Sequence, residues 1–359
     1  MKGLVRRVGQ RFMVGFDGLE ASADVKALVR EFGVGGVVLF ARNVEAPSQV
    51  AELTAALKRG ASAPLVVAVD QEGGSVARLR AGFTRLPPFR ALGDAGDPEL
   101  ARAVGALVGT ELRAVGVDWN FAPVLDVDTN PENPVIGTRA LGADPERVAS
   151  IALAFAAGML SAGVAPCGKH FPGHGDTRQD SHHELPRLPH PLARLERVEL
   201  VPFTRAIAAG MPALMAAHVV FEALDRENPA SMSARVVGEL LRARLGFSGL
   251  VVTDDLEMKA IADHFAIEDV AVRALTAGVD VLLVCHSPEL ARRAIDAIVR
   301  AVKSGAVGEE ILQRAVERVA SFSERFARPP LAHADLSLVG SSAHAALVDR
   351  LREAAGVST

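Results

Sequence analysis

Short apolar runs recur eight times along this chain, with helix-like stretches between them. The runs occupy residues 11–16, 34–40, 65–70, 117–124, 164–170, 213–219, 250–254 and 279–285. Most are nearly continuous in Val, Leu, Ile and Ala. That is how parallel strands buried on both faces read; a half-exposed sheet would alternate apolar with polar. Between them, 101–115, 145–159, 196–209, 234–245 and 289–303 carry apolar residues at helical spacing. Ser48 is placed to cap another helix, whose Val50, Leu53 and Leu57 share one face. Eight strands alternating with helices predict an α/β fold, a (β/α)8 TIM-type barrel, over a doubly wound sheet. No GxGxxG follows an early strand, which counts against a dinucleotide fold. The expected organisation is a single domain over 1–359, with a barrel core at about 10–328 and a helical tail at 329–359. That tail follows Pro329-Pro330 and carries one more helix-like stretch around 343–354, expected to pack on the barrel.

Composition narrows the partners. Lys and Arg total 39 against 43 Asp and Glu, a net charge of −4. A protein whose main partner is nucleic acid needs basic surface to displace counterions, so that class is disfavoured. The charge and a self-contained barrel permit a monomer. Aromatic side chains are scarce, with 15 Phe, 1 Trp and no Tyr. A long polysaccharide cleft lined by stacked rings is therefore not expected, and a bound sugar would be held by hydrogen bonds and charge. Arginines interrupt residues 1–16 before a signal-peptide apolar run develops. No stretch approaches the roughly 20 apolar residues that span a bilayer. Cys167 and Cys285 lie far apart in apolar surroundings and read as buried free thiols. Together these features point to the cytoplasm.

In a barrel, chemistry sits at the C-terminal ends of the strands. The third run ends in Asp70-Gln71-Glu72-Gly73-Gly74, the fifth in Lys169-His170 and the seventh in Asp254-Asp255, while the sixth carries His218. Charges placed directly after apolar strands are costly unless paired or used. Residues 171–192 have no helical or strand periodicity and are punctuated by Pro and Gly. A loop of that length in a compact domain is usually functional or disordered. Five of the ten histidines fall between His170 and His190, which disfavours plain disorder. The loop could therefore carry a catalytic group over the barrel mouth. His170 and His174 have the H-x3-H spacing of a helical zinc site, but Pro172 and Gly173 between them disfavour the helix that would align them. Asp180-Ser181-His182 sets a carboxylate two residues from an imidazole, a spacing suited to proton transfer. Lys169 at a strand end could also form a Schiff base. From these residues alone the alternatives stay open.

The segments GVVLFARN (36–43), VDQEGG (69–74), NFAPVLD (120–126), KHFPGHG (169–175) with DSH (180–182), and GLVVTDDLEM (249–258) together resemble glycoside hydrolase family 3. Within it the chain looks like the single-domain bacterial β-N-acetylglucosaminidases of peptidoglycan recycling. The resemblance runs from about residue 11 to 285 and implies a retaining exo-acting enzyme on small saccharides or muropeptides. It implies Asp254 as the nucleophile that forms a glycosyl ester. It implies His182 as general acid/base with Asp180 as its partner. It implies that Asp70, Arg78, Arg139, Lys169 and His170 contact the sugar at the cleavage position. No metal or organic cofactor is implied. The usual pattern has an Arg after the Gly pair where this chain has Ser75. Asp255 and His183 are neighbouring decoys, and His218 and Trp119 read as wall or core.

Retaining hydrolysis ordinarily joins a carboxylate nucleophile to a carboxylic acid that protonates the leaving oxygen. Here the acid would be an imidazolium. An imidazole with an ordinary pKa of ~6.5 can donate and recover a proton near neutral pH, and a mobile loop would complete the site on closure. The rival readings are substrate-assisted cleavage, a phosphorylase, a plain β-glucosidase, a metal-dependent barrel hydrolase, a Schiff-base lyase and a non-catalytic sugar-binding protein. Many β-glucosidases of the family draw their acid/base from a second domain, and the DSH loop takes that place here.

Overall fold

The structure, a computed structural model, describes residues 2–181 and 184–357. His182 and His183 lie outside the described residues. All eight apolar runs contain barrel strands: β1 (Phe12–Val14), β2 (Gly36–Leu39), β3 (Val66–Val69), β4 (Trp119–Asn120), β5 in two pieces (Ala165–Pro166 and Gly168–Phe171), β6 (Ala213–Ala216), β7 (Leu250–Asp255) and β8 (Val281–Val284). Every neighbouring pair is parallel, and β8 pairs with β1. The two ends of the sheet are the two pieces of β5, so the sheet curls into a barrel.

The period-two alternation of side chains along a strand sorts the core into two layers. Met13, Val38, Val66, Ala68, Cys167, Met215, Val252 and Leu283 fill the inside of the barrel. Val14, Val37, Val67, Val69, Leu214, Val251 and Leu282 face the helices. The helix Glu309–Phe326 places Val319, Phe322 and Phe326 in the inner layer, with Phe322 against Trp119 at 4.7 Å between ring centroids. Trp119 is thus a core residue. Two buried carboxylates tie strand starts together. Asp118 accepts from Val67 N and pairs with Lys58, and Asp280 accepts from Val251 N and pairs with Arg242 and Arg318.

Three sequence expectations need adjustment. Ser48 is not a cap: the helix Pro47–Gly60 begins from Ala46, with Pro47 in its first turn, where its missing N–H is no loss. The stretch 196–209 forms two helices, Leu192–Arg197 and Leu200–Ala208. Pro202 cannot donate to a carbonyl four residues back, which favours a fresh start there. Among its described residues, the loop after β5 contains one short strand, Arg187–Leu188, paired with Val220–Phe221. The remaining expected helices appear within a few residues of their predicted bounds. The tail helix Ser342–Ala354 buries Val348 and Leu351, and Glu111 accepts from Gly340 N and pairs with His344. Among the described residues, no helix is long and apolar enough to cross a membrane.

Candidate active site

The inward register of the strands continues past their apolar part into charge. Val66 and Ala68 point inward, and Asp70 is the next inward position. Cys167 leads in the same way to Lys169, and Leu250 and Val252 lead to Asp254. Six of the residues expected from sequence, Asp70, Arg78, Arg139, Lys169, His170 and Asp254, line one small cavity, together with Val76, Val135, His174 and Ser181. Asp70, Arg78 and Asp254 also line an adjoining cavity of about 360 Å³ whose walls include Val38, Phe40, Phe121, Met215, Met258 and Leu283. The barrel mouth is therefore one site with a charged lobe and a more apolar one.

The charged lobe is organised by a carboxylate that the sequence reading passed over. Glu72, 1% exposed, takes a two-pronged contact from Arg139, Nε at 2.9 Å and Nη2 at 2.8 Å. Lys169 Nζ lies 2.6 Å from Glu72 Oε1 and 2.6 Å from Asp70 Oδ1. Burial alone would raise the Glu72 carboxyl, but Arg139 and Lys169 outweigh it and hold it down at about 2. Burial would likewise lower the Lys169 ammonium, and Asp70 and Glu72 reverse this and raise it. The four groups form a charge-balanced cluster, which is how buried ions are tolerated. The signal for Glu72 was present in the alternation Asp70-Gln71-Glu72, since residues two apart share a face.

The backbone around Asp70 is clamped. Asn120 accepts from Gln71 N at 2.9 Å and donates to Gln71 O at 3.0 Å. The Gln71 side chain accepts from Arg78 N and Leu79 N and donates to Leu79 O. This holds the hairpin Gln71–Gly73/Val76–Ala77 that carries Arg78. Gly73 and Gly74 turn it at positive φ, and a Cβ at Gly73 would fall 2.3 Å from Pro87 O. Ser75 is an exposed residue at the turn. Arg78 sits with its guanidinium 5.9 Å from the Phe40 ring, and its buried Nε has no hydrogen-bond partner among the described residues.

Asp254 and Asp255 are separated by their surroundings. Burial would raise Asp254, but His170, His218, the Asp255 N–H and Lys169 outweigh it, so the carboxyl stays below its ordinary range. Asp255 instead turns toward β8, where it accepts from Cys285 N and Glu257 N, each at 3.2 Å. Burial and the nearby Glu257 charge push it up to about 7. His218 is a buried residue with a job: its Nε2–H donates to the Asp255 carbonyl at 3.0 Å while Nδ1 meets Ser231 Oγ at 2.7 Å. It steadies the backbone that presents Asp254.

The peptide bonds Lys169–His170 and Phe171–Pro172 are cis. His170 Nδ1 lies 2.7 Å from Asp126 Oδ2, and the two ring planes of His170 and His174 stand nearly perpendicular. His174 meets Thr177 Oγ1 with Nδ1 and Ser181 Oγ with Nε2. Both of its nitrogens thus face hydroxyls. Among the described residues no cluster of His, Cys, Asp and Glu could hold a metal. The loop base is stitched down. Asn133 donates to His174 O, Thr129 to Asp176, and His190 contacts Asp176. A Cβ at Gly175 would fall 1.8 Å from Val127 O. Ser181 is 2% exposed and its carbonyl accepts from Ala260 N, next to the β7 end. Asp180 precedes it, with its carbonyl accepting from Glu184 N.

A barrel of this kind, with an inward carboxylate at the end of β7 and a Lys-His pair at the end of β5, meets a family model along most of its length. The glycosyl hydrolase family 3 N terminal domain matches residues 4–322. This chain belongs to glycoside hydrolase family 3. The protein called beta-hexosaminidase in Nitrosomonas eutropha is 46% identical over 264 residues, 72% of this chain and 75% of that one. A family 3 beta-N-acetylglucosaminidase structure from a Paenibacillus species superposes with a TM-score of 0.95 at 46% identity, covering 98% of this chain and 68% of that one. NagZ from Neisseria gonorrhoeae, in complex with N-trifluoroacetyl-D-glucosamine, superposes with a TM-score of 0.81 at 34% identity, covering 96% of this chain and 98% of that one. The chain is accordingly a glycoside hydrolase of the family 3 barrel type.

Proposed function

We propose that this family 3 enzyme is a retaining exo-β-N-acetylglucosaminidase that removes terminal N-acetylglucosamine from small saccharides, with peptidoglycan-derived muropeptides as the natural substrate. The observation that carries the reading is the single cavity holding Asp254 together with Asp70, Arg78, Arg139, Lys169 and His170. The names of the family relatives support the sugar.

In this mechanism Asp254 attacks the anomeric carbon as the bond to the leaving oxygen breaks. The His182 imidazolium gives its proton to that oxygen, and Asp180 orients the ring. A glycosyl ester on Asp254 results. Water then attacks the anomeric carbon and passes a proton back to His182, and Asp254 leaves as a carboxylate. The lowered Asp254 carboxyl suits both attack and departure. Asp70 accepts from sugar hydroxyls, and the Arg78 Nε is a buried donor awaiting an acceptor. Lys169, Arg139 and His170 complete the hydrogen-bonding wall. Ser181, adjoining His182 in sequence, lines the same cavity, which supports delivery of the acid from this loop.

Two rival readings lose support. Lys169 is held protonated between two carboxylates, a poor state for a Schiff-base amine. His170 sits on the end of β5 and His174 in the non-helical segment after it, so the helix that a zinc-binding H-x3-H pair needs is not formed. The reading uses groups from one chain only, consistent with a single barrel unit plus tail acting as a monomer. We place it in the cytoplasm, where its buried free thiols Cys167 and Cys285 are at home. Release of N-acetylglucosamine from a muropeptide by the purified protein tests the assignment. Failure to turn over both a muropeptide and a chromogenic N-acetylglucosaminide would contradict it.

A further inference from the structure

One fully buried carboxylate beside the pocket has no part in the chemistry described so far. Asp126 is 0% exposed and lies in the segment after β4. Its Oδ1 accepts from His170 N at 3.1 Å and from His174 N at 2.7 Å. Its Oδ2 faces His170 Nδ1 at 2.7 Å. One carboxylate therefore grips both ends of the His170–His174 turn and one edge of the His170 ring. It does not line the charged lobe, whereas His170 does.

The protonation follows from the geometry. Burial would raise the Asp126 carboxyl, but the His170 ring and two backbone N–H donors converge on it and keep it low, so the group is a carboxylate. A carboxylate can only accept. The proton between the two must then sit on His170 Nδ1. In the neutral ring that leaves a lone pair on Nε2, the nitrogen not taken by Asp126. We propose that Asp126 is the positioning residue that fixes the His170 tautomer, so that Nε2 presents a hydrogen-bond acceptor to a sugar hydroxyl in the pocket. The proposal rests on the reading of this cavity as the sugar site. It gives Asp126 a role through His170, with no contact to substrate of its own. Lys169 and His170 are then adjacent residues oriented by separate buried carboxylates, Glu72 and Asp126.

Asp126→Asn is the discriminating change because it keeps the shape. Its amide oxygen can still accept from His170 N and His174 N, while its NH2 must donate to Nδ1. The ring proton moves to Nε2, and the acceptor offered to the sugar becomes a donor. With 15N-labelled histidine, the native enzyme should show His170 protonated on Nδ1 with a bare Nε2, and the variant should show the proton on Nε2. kcat/KM for a chromogenic N-acetylglucosaminide should fall about 100-fold, as for other lost orienting or hydrogen-bonding partners. In a His170→Ala background the same change should cost less than about 3-fold, because Asp126 acts through that ring. A native His170 protonated on Nε2 overturns the proposal, as does a loss that multiplies undiminished on His170→Ala. If Asp126→Asn does not fold, the native spectrum alone decides. Undiminished turnover by His170→Ala would refute the reading of the cavity as the sugar site, and the spectrum would still judge the tautomer.

Discussion

Lys169 Nζ stands 2.6 Å from Glu72 Oε1, and both side chains are buried, at 2% and 1% exposure. Glu72 is also the two-pronged partner of Arg139. Two cations expected to meet the sugar thus depend on one carboxylate beneath them. Their direction is set before substrate arrives, which is the preorganisation that transition-state binding requires.

Removing that carboxylate leaves two buried cations short of a counter-charge. Glu72→Ala is expected to lower the unfolding free energy by about 3–5 kcal/mol, read by urea denaturation. Glu72→Gln keeps the volume and some of the hydrogen bonds. It should lose less stability while still reducing kcat/KM, because Lys169 and Arg139 are no longer drawn into line.

His182 as general acid matters most when the leaving group is poor. His182→Ala should lower kcat by roughly 10²–10⁴-fold for muropeptide or alkyl leaving groups. For an activated aryl glycoside, which needs little proton assistance, the loss should be much smaller. Equal losses on both substrates would argue against an acid role.

Two buried groups make opposite contributions to acid stability. Burial and the nearby His170 lower His174 to about 4. The unfolded chain binds that proton near the ordinary imidazole value of ~6.5. His174 therefore contributes stability that is present above ~6.5 and is lost as pH falls toward 4, about 3 kcal/mol in all. Asp255 is raised to about 7. Its contribution is present below the ordinary carboxyl value and is lost as pH rises toward 7. The two slopes oppose each other in the native protein. Single variants should separate them by chemical denaturation across this range: His174→Gln removes the loss on acidification, and Asp255→Asn removes the loss on raising pH.

Much of this was legible in the chain, for identifiable reasons. Strands buried on both faces must be apolar throughout, so all eight announced themselves as runs. Period-two alternation then carried Asp70, Lys169 and Asp254 into the barrel mouth. Glu72 and Asp126 went unassigned because a carboxylate under the site touches side chains more than 40 residues away in sequence, and no local pattern records those partners. Asp126 was visible only as the last residue of an apolar segment. The helix Glu309–Phe326 was missed as a barrel plug, since its apolar stripe is ordinary and its target is revealed only by closure of the sheet. Ser48 misled because Pro47 took the first helical turn and moved the start by two residues.

The central claim is that Asp254, and not its neighbour Asp255, becomes covalently bound to the sugar. Incubation with a slow-turnover fluorinated N-acetylglucosaminide, followed by proteolysis and tandem mass spectrometry of the peptide spanning the β7 end, tests this directly. The account predicts a mass increase of one sugar residue localised to Asp254 and absent from Asp254→Ala. An adduct on Asp255, or turnover of the probe with no adduct on this peptide, would contradict it.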